Sequence, residues 1–296
     1  MRDVLVTGGS GQVGGALAAM AEVEGFRFVA PGRDELDLLR PSSFAAFLAS
    51  RPWAAIINAA AYTAVDKAES EVEEAWRINA LAPAVLAREA AGAGVPLVHV
   101  STDYVFSGAS ARPYREDDAV APLGVYGASK AAGEQGVRTG GGRFAIVRTS
   151  WVVSAQRANF LKTMLRLGAE RDVLRVVADQ QGAPTSARDL AGALALIARA
   201  LACDPAASSG TFHFANAGAT TWADFAAEIF RLSAQRGGPS ARVEPITTAD
   251  YPTPARRPAC SLLSTESIQK LYGVTPRPWQ AAIADIIAEL IPSRIT

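Results

Sequence analysis

Val4-Leu5-Val6-Thr7-Gly8-Gly9-Ser10-Gly11-Gln12-Val13-Gly14 lies at the start of the chain. A strand-like run of apolar and β-branched residues leads directly into glycines at 8, 11 and 14, and an Ala-rich helical pattern follows at once. Such glycines let the backbone turn sharply, approach a ligand closely and pack the new helix against its strand. The helix N-terminus meanwhile attracts negative charge. A glycine triplet by itself is a weak signal. Set between a strand and a helix at the start of a βαβ unit, it reads as a pyrophosphate-binding turn.

Apolar runs of strand length then alternate with helical patterns, as in a parallel sheet covered on both faces. Strands are predicted at Asp3–Thr7, Arg27–Ala30, Ala54–Asn58, Leu97–Ser101 and Phe144–Thr149. Helices are predicted at Gln12–Glu24, Phe44–Ser50, Val72–Ala91, Val125–Val137, Asn159–Leu167, Ala187–Leu201, Trp222–Leu232 and Pro278–Leu290. The fold class is therefore α/β, a doubly wound parallel sheet of Rossmann type with a smaller C-terminal substrate-binding lobe. After about Trp151 the alternation weakens and Pro and Gly cluster, notably at Gln180–Pro184 and Tyr251–Pro258. Residues 1–151 are thus expected to form a dinucleotide-binding domain, to which later segments return, and residues 152–296 mainly the lobe.

At 296 residues and 49% hydrophobic the chain has ample material for a packed core, which excludes disorder and a disulfide scaffold. Twenty-nine basic residues balance 29 acidic ones, so no global charge calls for nucleic acid or an anionic membrane. Cys203 and Cys260 form no C-x-x-C pair, and His99 and His213 are the only histidines, so no metal site is expected. Reduced thiols in a cytoplasmic protein are the plain expectation. The chain enters a strand with no secretory pattern before it, and the longest apolar stretch, Leu190–Ala202, is too short to span a bilayer and contains Arg199.

The second strand ends near Pro31-Gly32-Arg33-Asp34. Arg33 suits a ribose 2′-phosphate and favours NADPH, whereas the adjacent Asp34 suits a free 2′-hydroxyl and leaves NADH open. Tyr126-Gly127-Ala128-Ser129-Lys130 puts a phenol and an ammonium on one helical face. Reducing a ketone needs a proton donor beside the carbonyl oxygen, and Lys130 is expected to make the phenol of Tyr126 acidic enough to serve. Ser101-Thr102-Asp103 ends a strand about two dozen residues earlier, where open α/β sheets place ligands, and offers a hydroxyl to the same oxygen.

Together Gly8, Gly11, Gly14, Thr102, Tyr126 and Lys130 resemble the extended short-chain dehydrogenase/reductase family. Longer strings are similar to its dTDP-4-dehydrorhamnose reductase branch: Ile57 to Glu69, Ser101 to Phe106, Arg148 to Trp151, Asn159 to Met164 and Asp179 to Thr185. The resemblance implies reduction of the C4 ketone of dTDP-4-dehydro-L-rhamnose to dTDP-L-rhamnose with NADPH or NADH, in dTDP-rhamnose and cell-wall polysaccharide biosynthesis. It implies Thr102, Tyr126 and Lys130 as the catalytic set. Gly8, Gly11, Gln12, Val13, Gly14, Arg33, Ala59, Ala60, Tyr62, Asn79 and Lys130 would hold the cofactor. Asp103, Tyr104 and Trp151 would face the sugar, Trp151 as a flat apolar wall. Asn159, Lys162 and Arg257 would meet the substrate's diphosphate. The partner is a dTDP-sugar, and the chain would act as a monomer or homodimer.

Two departures stand out. Cys260-Ser261 occupies the place where relatives often carry Asn-Ser, and Gly15 stands where some carry a carboxylate used in a cation-bridged dimer. Other readings on the same scaffold are another nucleotide-sugar reductase or epimerase, and a non-catalytic NADP-binding regulatory subunit resembling that of methionine adenosyltransferase. A dehydratase would need a glutamate where Tyr104 stands. The complete Thr102, Tyr126 and Lys130 set argues against a subunit that only binds.

Overall fold

The computed structural model of the chain describes residues 1–20 and 22–292. Its centre is a seven-stranded sheet in the spatial order Gly210–His213, Phe144–Thr149, Leu97–Thr102, Trp53–Asn58, Arg2–Thr7, Phe26–Val29 and Glu22–Val23. Neighbouring strands are parallel except for the last, short pair at one edge. Successive side chains point to opposite faces. Val4 and Val6 accordingly join Leu17, Leu190, Leu194 and Ile197 in one core, while Leu5 joins Phe44, Ile56, Leu86 and Ile146 in another. The helix Ala187–Cys203 covers the first of these faces, so chain from beyond Trp151 returns to the sheet. No helix among the described residues is long and apolar enough to cross a membrane.

A third core gathers Val153, Leu161, Leu174, Val176, Phe225, Ile229, Trp279 and Ile283 on the later half of the chain. It is built from the helices Phe160–Gly168, Trp222–Ala234 and Trp279–Leu290 and a parallel pair of strands, Val173–Val177 with Arg242–Ile246. Two other pairs there are only two residues long, Val152–Val153 with Thr185–Ser186 and Gln181–Gly182 with Thr220–Thr221. The last four residues of the expected lobe, 293–296, lie outside the described residues.

Several elements differ from the sequence expectation. The first helix is Gln12–Ala19 instead of extending to Glu24, and residue 21 lies outside the described residues. Glu22–Val23 folds back on Phe26–Arg27 through Glu24 and Gly25, whose positive φ values of 49° and 83° are what a tight hairpin demands. The helix expected over Val72–Ala91 is Val72–Trp76, a π-turn at Arg77–Leu81, then Ala82–Gly92. Pro83 explains the break, since it has no N–H to offer the carbonyl of Asn79 and its ring would collide with that oxygen in a regular helix. The four-residue edge strand Gly210–His213, the paired strands Val173–Val177 and Arg242–Ile246, and the helix Glu266–Tyr272 are not among the predicted elements, the strands being short or interrupted by charged residues.

Candidate functional site

Strand order reverses between Arg2–Thr7 and Trp53–Asn58. In open α/β sheets the crevice at the carboxyl ends of such a pair is where ligands sit. The glycine turn leaves one of these strands and Ala59-Ala60 leaves the other. Gly8 has φ +75°, and a Cβ on it would lie 2.8 Å from the Ala60 backbone. A Cβ on Gly14 would lie 2.2 Å from the Gly8 carbonyl oxygen. The turn is therefore sterically closed to side chains at both positions, and Gly11 N–H closes it by donating to the Gly8 carbonyl at 2.8 Å. Gln12 looks elsewhere: its amide donates to the Val152 carbonyl and accepts from Ser154 and Asn159, joining the glycine turn to the later part of the chain.

Thr102 ends its strand and caps the short turn Asp103–Val105 by accepting from the Tyr104 N–H. Its own hydroxyl donates to Asp103 Oδ1 at 3.0 Å. Tyr126 and Lys130 begin the helix Val125–Arg138, whose first N–H is capped by Glu69 at 2.8 Å. That helix sits very close to its neighbours: a Cβ on Gly127 would lie 2.1 Å from the Tyr104 carbonyl oxygen, and one on Gly133 would lie 2.0 Å from that of Asn79. Small residues thus bring the phenol to the strand ends. Lys130 is buried, and its ammonium donates to the Val100 carbonyl at 2.7 Å and lies 3.3 Å from His99 Nε2.

The electrostatics correct one expectation. Burial pushes Tyr126 up to about 12, Asp103 adds to this, and only the Thr102 hydroxyl opposes it. Burial brings Lys130 down to about 8, partly countered by Glu134. Without a bound ligand, the phenol is kept protonated by its surroundings and is not made acidic by the amine, which faces the strand.

Asp103 is also buried, and desolvation raises it to about 7 although Thr102 and Ser261 hydroxyls pull the other way. The folded state therefore binds its proton more tightly than the unfolded chain. Stability from this group is greatest below the ordinary value of 3.8, declines as pH rises towards about 7, and is level above that. Asp103→Asn should remove the decline. Urea unfolding at several pH values between about 4 and 8 should show the variant gaining on the parent as pH rises, and a constant difference would contradict the account.

Other candidate residues divide. Arg33 is exposed just past the second strand, 3.7 Å from Asp37. Asn79, within the π-turn, accepts from the Tyr62 N–H and donates to the Tyr62 carbonyl and Ser129, so it fixes the loop that carries Ala59, Ala60 and Tyr62. Arg257 is held by Asp66 at 2.7 Å. Trp151 stacks one indole face on Trp222 at 3.5 Å, and a Cβ on Gly182 would lie 2.4 Å from its ring, so these contacts take up part of the flat surface expected to face the sugar. Asn159 departs from its expected role. It caps the helix Phe160–Gly168 by accepting from Lys162 N–H, and its NH₂ donates to Gln12 and Ser154, which leaves its amide no donor for a diphosphate. The Lys162 ammonium donates to the Ala155 carbonyl.

Sequence reasoning passed over Glu69, Trp222, Glu134, Arg148, Asn58 and His99. Each acts through a partner on a different element, so no local motif announces it. The nearest available signal was polarity within otherwise apolar strands, as at His99 and Arg148.

The model of the RmlD substrate binding domain family matches residues 1–291. The chain is 42% identical over 287 residues to the dTDP-4-dehydrorhamnose reductase of Sinorhizobium fredii, covering 97% of each. The dTDP-4-dehydrorhamnose reductase of Bacillus anthracis, solved in complex with NADP, superposes with a TM-score of 0.90 at 34% identity, covering 98% of this chain and all of that one. The Clostridium acetobutylicum reductase gives 0.89 at 35% identity. With the reversal in strand order, the closed glycine turn and this agreement along almost its whole length, the chain belongs to the RmlD substrate binding domain family.

Proposed function

We propose that the chain is an NADPH-dependent oxidoreductase that reduces the C4 ketone of dTDP-4-dehydro-L-rhamnose to give dTDP-L-rhamnose, as a cytoplasmic monomer or homodimer. The observation that carries this reading is Thr102 at the carboxyl end of its strand beside the start of the Tyr126 helix, packed through Gly127 against the Tyr104 carbonyl, with Lys130 one turn along that helix.

The chain's residues fit a dinucleotide. The glycine turn has no room for side chains where a pyrophosphate would approach, and it opens a helix whose N-terminal N–H groups lack a side-chain cap. Arg33 would meet the 2′-phosphate, and Ala59, Ala60 and Tyr62 would line the cofactor beside it. When bound, the cofactor supplies the hydride.

The chain's own part is proton management and placement. Tyr126, held protonated by burial, gives its proton to the carbonyl oxygen as that oxygen gains charge. Thr102, whose hydroxyl here donates to Asp103, would turn that proton to the same oxygen. Lys130 places a positive charge one turn from the phenolate left behind. Asp103, Tyr104 and Trp151 bound the sugar, and Arg257, aligned by Asp66, is the cation offered to the diphosphate together with Lys162.

Purified protein should oxidise NADPH only when dTDP-4-dehydro-L-rhamnose is added, one equivalent per product, with NADH run in parallel. Absence of substrate-dependent oxidation with folded protein would remove the reading. An epimerase would instead convert its substrate with no net consumption of NADPH.

A further inference from the structure

We propose that His99 is a positioning residue for Lys130, and that a buried chain from Thr7 through Asn58 to His99 links the orientation of one amide to the charge of that lysine. Thr7, Asn58, His99 and Lys130 are all within 4% of complete burial. Thr7 Oγ1 donates to Asn58 Oδ1 at 2.6 Å, Asn58 Nδ2 lies 3.1 Å from His99 Nδ1, and His99 Nε2 lies 3.3 Å from Lys130 Nζ. The chain of contacts thus crosses three strands, from the residue before the glycine turn to the helix that carries Tyr126.

A neutral imidazole has one donor and one acceptor nitrogen. His99 is held neutral, its value driven well below 6.5 by burial and by the Lys130 charge. An ammonium at Lys130 only donates, so Nε2 must accept and Nδ1 must carry the proton. The Asn58 oxygen then faces His99 and its NH₂ faces Thr7. A neutral amine at Lys130 permits the reverse: Nε2–H donates to the amine, Nδ1 accepts from Asn58 NH₂, and the Thr7 hydroxyl donates to the Asn58 oxygen. The amide stands here in the second orientation, and the first requires it to turn over, so the two charge states of Lys130 call for opposite orientations of Asn58.

The other ionisable groups around Lys130 are Glu134, one turn further and paired with Arg148 and Arg138, and Tyr126, one turn before, with Asp103 beyond it. Among the described residues none of these groups is hydrogen-bonded to Nζ. His99 and the Val100 carbonyl take one N–H each, which fixes the direction of the remaining donor. This placement matters to turnover through the reductase reading. The tautomer of His99 does not depend on that reading.

Two measurements test the proposal. With ¹⁵N-labelled ligand-free protein, His99 and His213 are the only imidazoles to assign. Below the Lys130 value of about 8, His99 should show the neutral Nδ1–H form, and above it the neutral Nε2–H form. An imidazolium near neutrality, or one unchanged tautomer across that pH, overturns the proposal even if the enzyme is active. In kinetics, His99→Phe should move the basic limb of the kcat/KM profile to lower pH by about one unit, because an ammonium has lost an acceptor. His99→Gln, which again offers an oxygen, should return most of the shift. An unshifted limb in folded His99→Phe, or equal losses in both variants with no change in profile, would reduce His99 to a packing role. Should His99→Phe not fold, the tautomer measurement on the parent protein decides alone.

Discussion

Tyr126→Phe should lower kcat by about 10²- to 10⁴-fold, the range supplied by a positioned proton donor, while NADPH affinity stays within about twofold. The substitution removes one oxygen. The aromatic ring stays against Tyr104, with which it packs edge-on at 5.4 Å, so the helix that carries Lys130 should keep its place. The loss should fall on kcat more than on KM, since the missing bond forms only as the carbonyl oxygen gains charge. At neutral pH the phenol is fully loaded with its proton, which a water at this half-buried position could replace only without the fixed placement of the ring. Residual turnover would reflect Thr102 and the placement of the reactants. A Tyr126→Phe enzyme with near-parental kcat would show that the proton comes from elsewhere, Asp103 being the neighbouring group held partly protonated at neutral pH.

What could be read from the residues alone follows physical range. The glycine turn and its flanking strand and helix are local, governed by backbone sterics at Gly8 and Gly14, and were legible. The five central strands were legible for a similar reason, since buried parallel strands are continuous apolar runs. The first helix was overextended because nothing in the Ala-rich pattern signals that Glu24 and Gly25 prefer a hairpin. The π-turn at Arg77–Leu81 was hidden because Pro83 perturbs the turn before it, not its own position. Candidate residues fared by the same rule. Thr102 lies at a strand end and Tyr126 and Lys130 at a helix start because both places are fixed by short-range pattern. Trp151 and Asn159 were assigned outward roles, and their side chains turned to Trp222 and to Gln12, partners 71 and 147 positions away in sequence that no local pattern reveals. The polar contacts behind the site, such as Glu134 with Arg148, join different elements and are visible only once the sheet is assembled.

Those contacts carry the second large effect. Glu134→Leu should cost roughly 3–5 kcal/mol of unfolding free energy, because breaking a buried ion pair strands the surviving charge. Glu134 is fully buried and accepts from Ser101 at 2.6 Å, from Arg148 at 2.8 and 2.7 Å, and from Arg138 at 2.8 Å. Burial alone would raise its carboxyl, yet these donors hold it below the ordinary 4.5. The sign follows: the group stabilises the fold above the unfolded value, and the contribution fades as pH falls through the lower folded value. Arg148 is 1% exposed, lies over the Phe106 ring, and would keep only the Glu116 carbonyl and His213 as polar neighbours. A destabilised Glu134→Leu could nonetheless reflect a cavity in place of the stranded charge. The double variant Glu134→Leu with Arg148→Met separates the two, since removing both charges should recover most of the loss, whereas a packing defect would deepen. Urea unfolding of the parent, both single variants and the double variant at neutral pH measures the cycle. A double variant no more stable than Glu134→Leu would show that the pair is not what holds the Tyr126 helix to the strands Leu97–Thr102 and Phe144–Thr149.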